Sequence, residues 1–244
     1  MHPQTSDAPA PPLRWWLLAV ATLQQAGLTL VRFGLPALAP FVRADLGLSL
    51  PQTGAVLGAF DLGALLAFYL TGLATDRWGE RHVMAAGAVT TGLLTAAASR
   101  APSLPALALL LAAAGVGFPS SQVAGSHAVM GWFPARERGL AMGVRQAGLP
   151  IGGLTGALVL PWAAGRYGWR AALLLAAAGC TLAGLVTWAG LAGAAEPEAP
   201  ALPARVPQPV PSFWEAPRLF LADRALVLTT LAACLLAAGQ FSLT

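Results

Sequence analysis

A five-residue charged turn occurs twice in this chain. Arg77-Trp78-Gly79-Glu80-Arg81 returns 89 positions later (77 to 166) as Arg166-Tyr167-Gly168-Trp169-Arg170, each time between two long apolar stretches. Such turns join consecutive membrane spans, and their spacing predicts two similar three-helix units. An odd number of helices per unit places the two turns on opposite sides of the bilayer. This is the inverted-repeat plan of many secondary transporters.

Composition agrees. The chain is 57% hydrophobic and 10% charged, with a mean hydropathy of +0.66, values few soluble domains reach. A hydrocarbon core about 30 Å thick needs roughly 20 apolar residues per helix. Seven such stretches are predicted, near 15–40, 51–74, 83–100, 104–130, 139–162, 169–191 and 222–244. They are Ala- and Leu-rich and lack the alternation of a membrane barrel. The fold class is an all-α polytopic membrane protein: a six-helix unit built as a 3+3 inverted repeat, plus a seventh helix.

All 14 basic residues are arginine. With a cytoplasmic amino terminus, that side holds Arg14, Arg77, Arg81, Arg136, Arg138, Arg205, Arg218 and Arg224, against Arg43, Arg100, Arg166 and Arg170 outside. Eight against four follows the positive-inside rule. The isoelectric point near 10.0 is therefore a topology signal, and no nucleic-acid partner is expected. Trp15, Trp16, Trp132, Trp162, Trp169 and Trp188 fall at span ends, with Trp78 and Trp214 in adjoining loops, as expected of an interfacial belt.

Residues 1–14 read as a disordered cytoplasmic tail, and 15–191 as the six-helix unit. Residues 192–218 carry seven prolines between 192 and 217 and read as a semi-rigid cytoplasmic linker. Residues 219–244 read as the seventh helix. Cys180 and Cys234 lie inside spans, where packing is their expected role.

The segment Gly72-Leu73-Ala74-Thr75-Asp76-Arg77-Trp78-Gly79-Glu80-Arg81, between spans two and three, resembles the signature loop of the major facilitator superfamily. Its pattern is Gly-x-Leu-x-Asp-Arg-x-Gly-x-Arg, with Ala74 in place of the Leu. Trp132-Phe133-Pro134-Ala135-Arg136-Glu137-Arg138-Gly139 and Tyr167-Gly168-Trp169-Arg170 also resemble that family, so the similarity covers about 15–190. The resemblance implies a transporter of the plasma membrane with two six-helix halves and substrate held between them. It also implies that Asp76 latches a cytoplasmic gate against the second half. On that reading the chain is a truncated fragment or an incomplete gene model.

Gly72 and Gly79 are expected to permit close approach and a tight reversal, while Asp76, Arg77, Glu80 and Arg81 can pair across the turn. A charge network made in one state and broken in the other biases alternating access; the alternative is that these charges set topology alone. Charges inside spans are the next candidates, since each costs roughly 2.5–3.5 kcal/mol at mid-membrane. Arg32 and Asp61 have similar expected depth, which permits an ion pair. Arg32 would bind an anionic substrate and Asp61 carry a coupling proton, or the two form a structural pair. Arg145, followed by Gln146, either reaches a polar cavity or snorkels to the cytoplasmic face.

Gly148, Gly152 and Gly156 recur every four residues, with Pro150 and Gly153 interleaved, a pattern for close helix packing with a kink at the proline. It resembles the Gly-Pro-x-x-Gly-Gly motif of family antiporters, with the proline displaced. Gln24, Gln25, Ser120, Ser121, Gln122 and His127 are candidates for a polar cavity. Ser126 and His127 point about 100° apart on one helix, unsuited to a nucleophile and base. The chain has no phosphate-cradling Gly-x-x-x-x-Gly-Lys loop, no clustered metal ligands and no lysine for a retinal Schiff base. No enzyme activity and no cofactor are expected.

The expected function is secondary transport of a small solute, anionic if Arg32 binds it, by alternating access with a proton as coupling ion. Two alternatives stand beside it: a transport-incompetent fragment with a structural or partner-binding role, and a half-transporter that dimerises.

Overall fold

The computed structural model describes residues 11–192 together with 222, 224 and 227–232. Among these, regular structure is helical throughout: α1 (Pro11–Leu46), α2 (Leu50–Ala98), α3 (Leu104–Gly115), α4 (Pro119–Gln122), α5 (Ala124–Trp132), α6 (Arg138–Gln146), α7 (Gly148–Tyr167) and α8 (Trp169–Gly190). The described part of the first helix runs from Pro11, and residues 1–10 of the expected tail lie outside the described residues. Of the expected seventh helix, residues 222, 224 and 227–232 are helical. The linker from 193, Trp214 and Cys234 lie outside the described residues.

Five helical rods are long and apolar enough to cross a membrane: Leu13–Leu46, Leu50–Ala98, Leu104–Trp132, Arg138–Tyr167 and Trp169–Gly190. The second has 49 residues, roughly 74 Å at 1.5 Å per residue, more than twice the hydrocarbon thickness. It is two spans joined at Gly79, whose φ of 76° and ψ of 160° are not helical. The rods therefore provide six crossings. Gly168, between α7 and α8, has φ 83° and ψ 156°. The two copies of the repeated turn thus share a backbone conformation essentially restricted to glycine.

Local chemistry explains the other breaks. Ser49 and Gln52 form a capping box at the start of α2, and Ser103 caps α3. Helix α3 ends at Gly115, four residues before Pro119, and α6 ends at Gln146, four before Pro150. A proline ring collides with the carbonyl four residues back. The helix is interrupted upstream of Pro150, at Ala147, whose φ of −61° and ψ of −21° stay right-handed, and Pro150 lies inside the first turn of α7.

Helix α1 packs along α7 and α8, while α2 packs against α3 and α8. The α1–α7 seam is close: a Cβ on Gly148 would stand 2.7 Å from the Thr22 carbonyl oxygen, and one on Gly156 3.0 Å from that of Leu30. Gly152 abuts Thr29 and Ala26, and Gly153 faces Phe33. The core has two apolar layers. One contains Leu28, Val31, Phe60, Leu111, Phe118 and Leu160; the other contains Leu17, Leu18, Met84, Val129, Trp132 and Phe133. Between them in sequence register lies a buried polar layer of Gln24, Gln25, Ser120, Ser121 and Arg145, with buried Thr29 one turn further along α1. Cys180 is buried and donates to the Ala88 carbonyl.

Two tryptophans depart from the expected belt. Trp132 is 3% exposed and Trp169 4%, so both pack inside the protein. Trp15, Trp16, Trp78, Trp162 and Trp188 are exposed.

Candidate functional site

Arg32 stands near the middle of α1 and Asp61 near the middle of the first arm of α2. Arg32 Nε donates to Asp61 Oδ1 at 2.8 Å. The guanidinium lies 4.8 Å from the ring centroid of Phe118 and 5.4 Å from that of Phe33. A cation over an aromatic face gains from the ring quadrupole, and Phe118 ties the pair to the start of α4. The Asp61 side chain is 56% exposed and that of Arg32 27%. The pair is partly open, Asp61 more so than Arg32.

Arg145 behaves differently from a snorkelling arginine. It is fully buried, and all its partners are neutral. Nη1 donates to Ser126 Oγ at 3.1 Å and Gln146 Oε1 at 3.3 Å; Nη2 donates to the Ser121 carbonyl and to Ser121 Oγ. Gly125 leaves the room: a Cβ there would stand 2.9 Å from Nη2. No carboxylate among the described residues pairs with Arg145. Several of the sequence candidates converge on it. Gln25 Nε2 donates to Gln146 Oε1 at 3.0 Å, and Ser121 Oγ donates to Gln25 Oε1 at 3.2 Å. Gln24 is fully buried and donates to the Met84 carbonyl and Ser120 Oγ. It ties helices together and lines no opening. Gln122 is half-buried, its carbonyl accepting from Ser126 Oγ.

The signature segment is also corrected. Residues 72–78 continue the helix, and only Gly79 turns. Gly72 has no atom within 4 Å of an added Cβ, so no close approach depends on it. The charges do not pair across the turn. Glu80, 7% exposed, bonds His127 Nδ1 at 2.5 Å on α5, while Arg81 Nε donates to the Trp188 carbonyl and stacks on its ring. Asp76 and Arg77 are exposed and have no charged partner among the described residues.

Sequence reasoning missed Asp45. At the end of α1 its Oδ2 accepts from Trp169 Nε1 at 2.8 Å and Arg170 Nη1 at 2.7 Å. The two turns are thus braced alike. The residue after each turn glycine, Glu80 or Trp169, bonds the end of the first helix of the other three-span unit. At the Glu80 end of the molecule, Arg14 also pairs with Glu137 at 2.9 Å.

A recess of about 620 Å³ lies between the arms of α2 and the α3–α4 region, with Leu70, Ala74, Val83, Ala86 and Arg77 among its lining residues. It includes neither Arg32 nor Asp61. Its apolar lining suits a lipid tail or a packed helix better than a polar solute.

The family model of the Major Facilitator Superfamily matches residues 21–244. The chain belongs to that superfamily. This MFS chain is 34% identical over 178 residues to an uncharacterized MFS-type transporter of Mycobacterium tuberculosis (strain H37Rv), covering 73% of this chain and 40% of the relative. It is 28% identical over 144 residues to the hexuronate transporter of Bacillus subtilis, covering 59% and 34%. A solved bacterial homolog to the human lysosomal transporter Spinster, in an inward-facing and unoccupied conformation, superposes with a TM-score of 0.72 at 19% identity, over 88% of this chain and 50% of that one. That likeness establishes the MFS fold. The chain spans about two fifths or less of the length of these two curated relatives. As in other MFS members, the helices are those of a multi-pass membrane protein.

Proposed function

We propose that this MFS chain is the amino-terminal unit of a proton-coupled secondary carrier for a small organic anion, working by alternating access with a second helical unit. The observation that carries the reading is the Arg32–Asp61 pair, 2.8 Å apart at mid-helix. A charge there is expensive, and an ion pair adds little stability over apolar packing, so its presence at mid-helix favours a functional reason for it. The pair is partly open and stacked on Phe118. Arg32 is the anion-binding group. Asp61 takes up a proton from solvent as Arg32 leaves it for the substrate, and releases that proton to the other side when the substrate departs and the pair re-forms, which couples the two movements. The hexuronate transporter among the relatives favours a sugar acid as the anion class. The excess of arginine at one end favours a cytoplasmic amino terminus in the plasma membrane.

The test is uptake into proteoliposomes holding the full-length carrier, with an imposed pH gradient and D-glucuronate as probe. Uptake driven by the gradient, and abolished by Arg32→Ala, is the expected result. Uptake unaffected by Arg32→Ala would remove Arg32 from the site. A carrier indifferent to the gradient would remove the proton.

A further inference from the structure

Four side chains from three spans form a closed circuit of hydrogen bonds. Arg145 Nη1 donates to Gln146 Oε1, Gln25 Nε2 donates to that same oxygen, Ser121 Oγ donates to Gln25 Oε1, and Arg145 Nη2 donates to Ser121 Oγ. Gln25, Ser121 and Arg145 are buried, whereas Gln146 is exposed. Arginine only donates, so Gln146 must turn its oxygen inward. That oxygen then has both acceptor positions filled. The amide nitrogen is left facing outward, with no partner among the described residues.

A buried guanidinium without a counter-ion is costly, several kcal/mol per ion even after relaxation. Apolar packing would serve stability better at this position. What Arg145 provides is polarisation: a cation bonded to the amide oxygen strengthens the N–H donors of the same amide. The register then links Gln146 to the ion pair. Gln25 and Arg32 are seven residues apart on α1, with Thr29 between them, so they share one face two turns apart, roughly 10 Å. The single Thr29 hydroxyl proton is shared among the Gln25, Ala26 and Gly148 carbonyls, and the last of these lies two residues after Gln146.

We infer that Gln146 is a substrate-contacting residue whose amide N–H donates to a neutral oxygen of the transported anion, and that Arg145 is the positioning residue that aims and strengthens it. The inference rests on Arg32 as the anion-binding group and adds a second point of contact. The substrate class is narrowed to an acid carrying a hydroxyl or carbonyl oxygen remote from its anionic group.

The experiment compares two probes with the same carboxylate, D-glucuronate and hexanoate, by tryptophan-fluorescence titration of the full-length carrier in detergent. Gln146→Leu is expected to weaken glucuronate about tenfold, the scale of one lost hydrogen bond, and to leave hexanoate unchanged. Arg145→Gln should reproduce that selective loss and Arg145→Lys recover part of it. Melting temperature is measured on every variant, so that a misfolded Arg145→Gln protein leaves Gln146→Leu to decide. Equal weakening of both acids, or no change in either, overturns the inference while leaving Arg32 in place. Wild-type carrier that binds neither acid overturns the Arg32 reading and this inference together.

Discussion

Gly79 and Gly168 hold the same backbone conformation, φ 76° and ψ 160° against φ 83° and ψ 156°. The repeated turn is therefore a repeat of geometry as well as of letters. Around an added Cβ at Gly168 there is nothing within 4 Å, so substitution there tests the dihedral alone. Gly168→Ala is expected to cost about 1–3 kcal/mol, read as a fall in the detergent melting temperature. An unchanged melting temperature would mean the turn relaxes freely.

The α1–α7 seam predicts a contrast between two glycines. Gly152 abuts Thr29 and Ala26, whereas Gly139 has open space. Gly152→Ala should destabilise by about 1–3 kcal/mol through overpacking. Gly139→Ala, in α6, should be neutral or slightly stabilising because alanine is the better helix former. The same melting assay separates them.

Asp76 is exposed at the end of an arm of α2, so Asp76→Asn should leave insertion and folding intact. If it latches the gate against a second helical unit, transport by the full-length carrier should fall at least fivefold, the lower range of a conformational coupling. Unchanged kinetics would reduce it to a topology charge.

The ion pair makes a graded prediction. Arg32→Lys should retain weak transport, since charge survives while the planar fork is lost; Arg32→Ala should abolish it. Asp61→Asn should uncouple transport from pH while substrate exchange continues. A purely structural pair would behave otherwise: the double variant Arg32→Gln with Asp61→Asn would recover proton-driven transport that each single variant loses.

Orientation is testable by cysteine labelling in intact cells. Arg136→Cys should be reached only after permeabilisation and Arg100→Cys from outside. The reverse pattern would invert the membrane topology.

The all-α membrane class was legible because apolar length against bilayer thickness decides it, and the matching turns at Gly79 and Gly168 because a short segment was repeated. Close packing by Gly148, Gly152 and Gly156 was legible for the same local reason, a fixed four-residue spacing. The partners of charged groups were not. Glu80 finds His127 and Arg81 finds Trp188, contacts between distant spans that no local spacing encodes. Arg145 has a stem long enough to snorkel, and only the space beside Gly125 makes burial the outcome. Trp132 and Trp169 sit at span ends, where a tryptophan can face lipid or protein, and the packing of neighbouring helices decides which. Asp45 offered no signal, since its partners are 124 and 125 positions away.

The braces between the two three-span units also set an order of assembly. Asp45 leaves the ribosome 125 residues ahead of Arg170, a delay of roughly 6–25 s at about 5–20 residues per second. Throughout that interval the first three spans have neither the hydrogen-bond donors for Asp45 nor, until His127 is made, the partner for Glu80. Until Trp169 and Arg170 are made, Asp45, whose side chain is 48% exposed even in the finished fold, has water as its partner. The last span of the second unit, by delivering Trp169 and Arg170, closes the bundle.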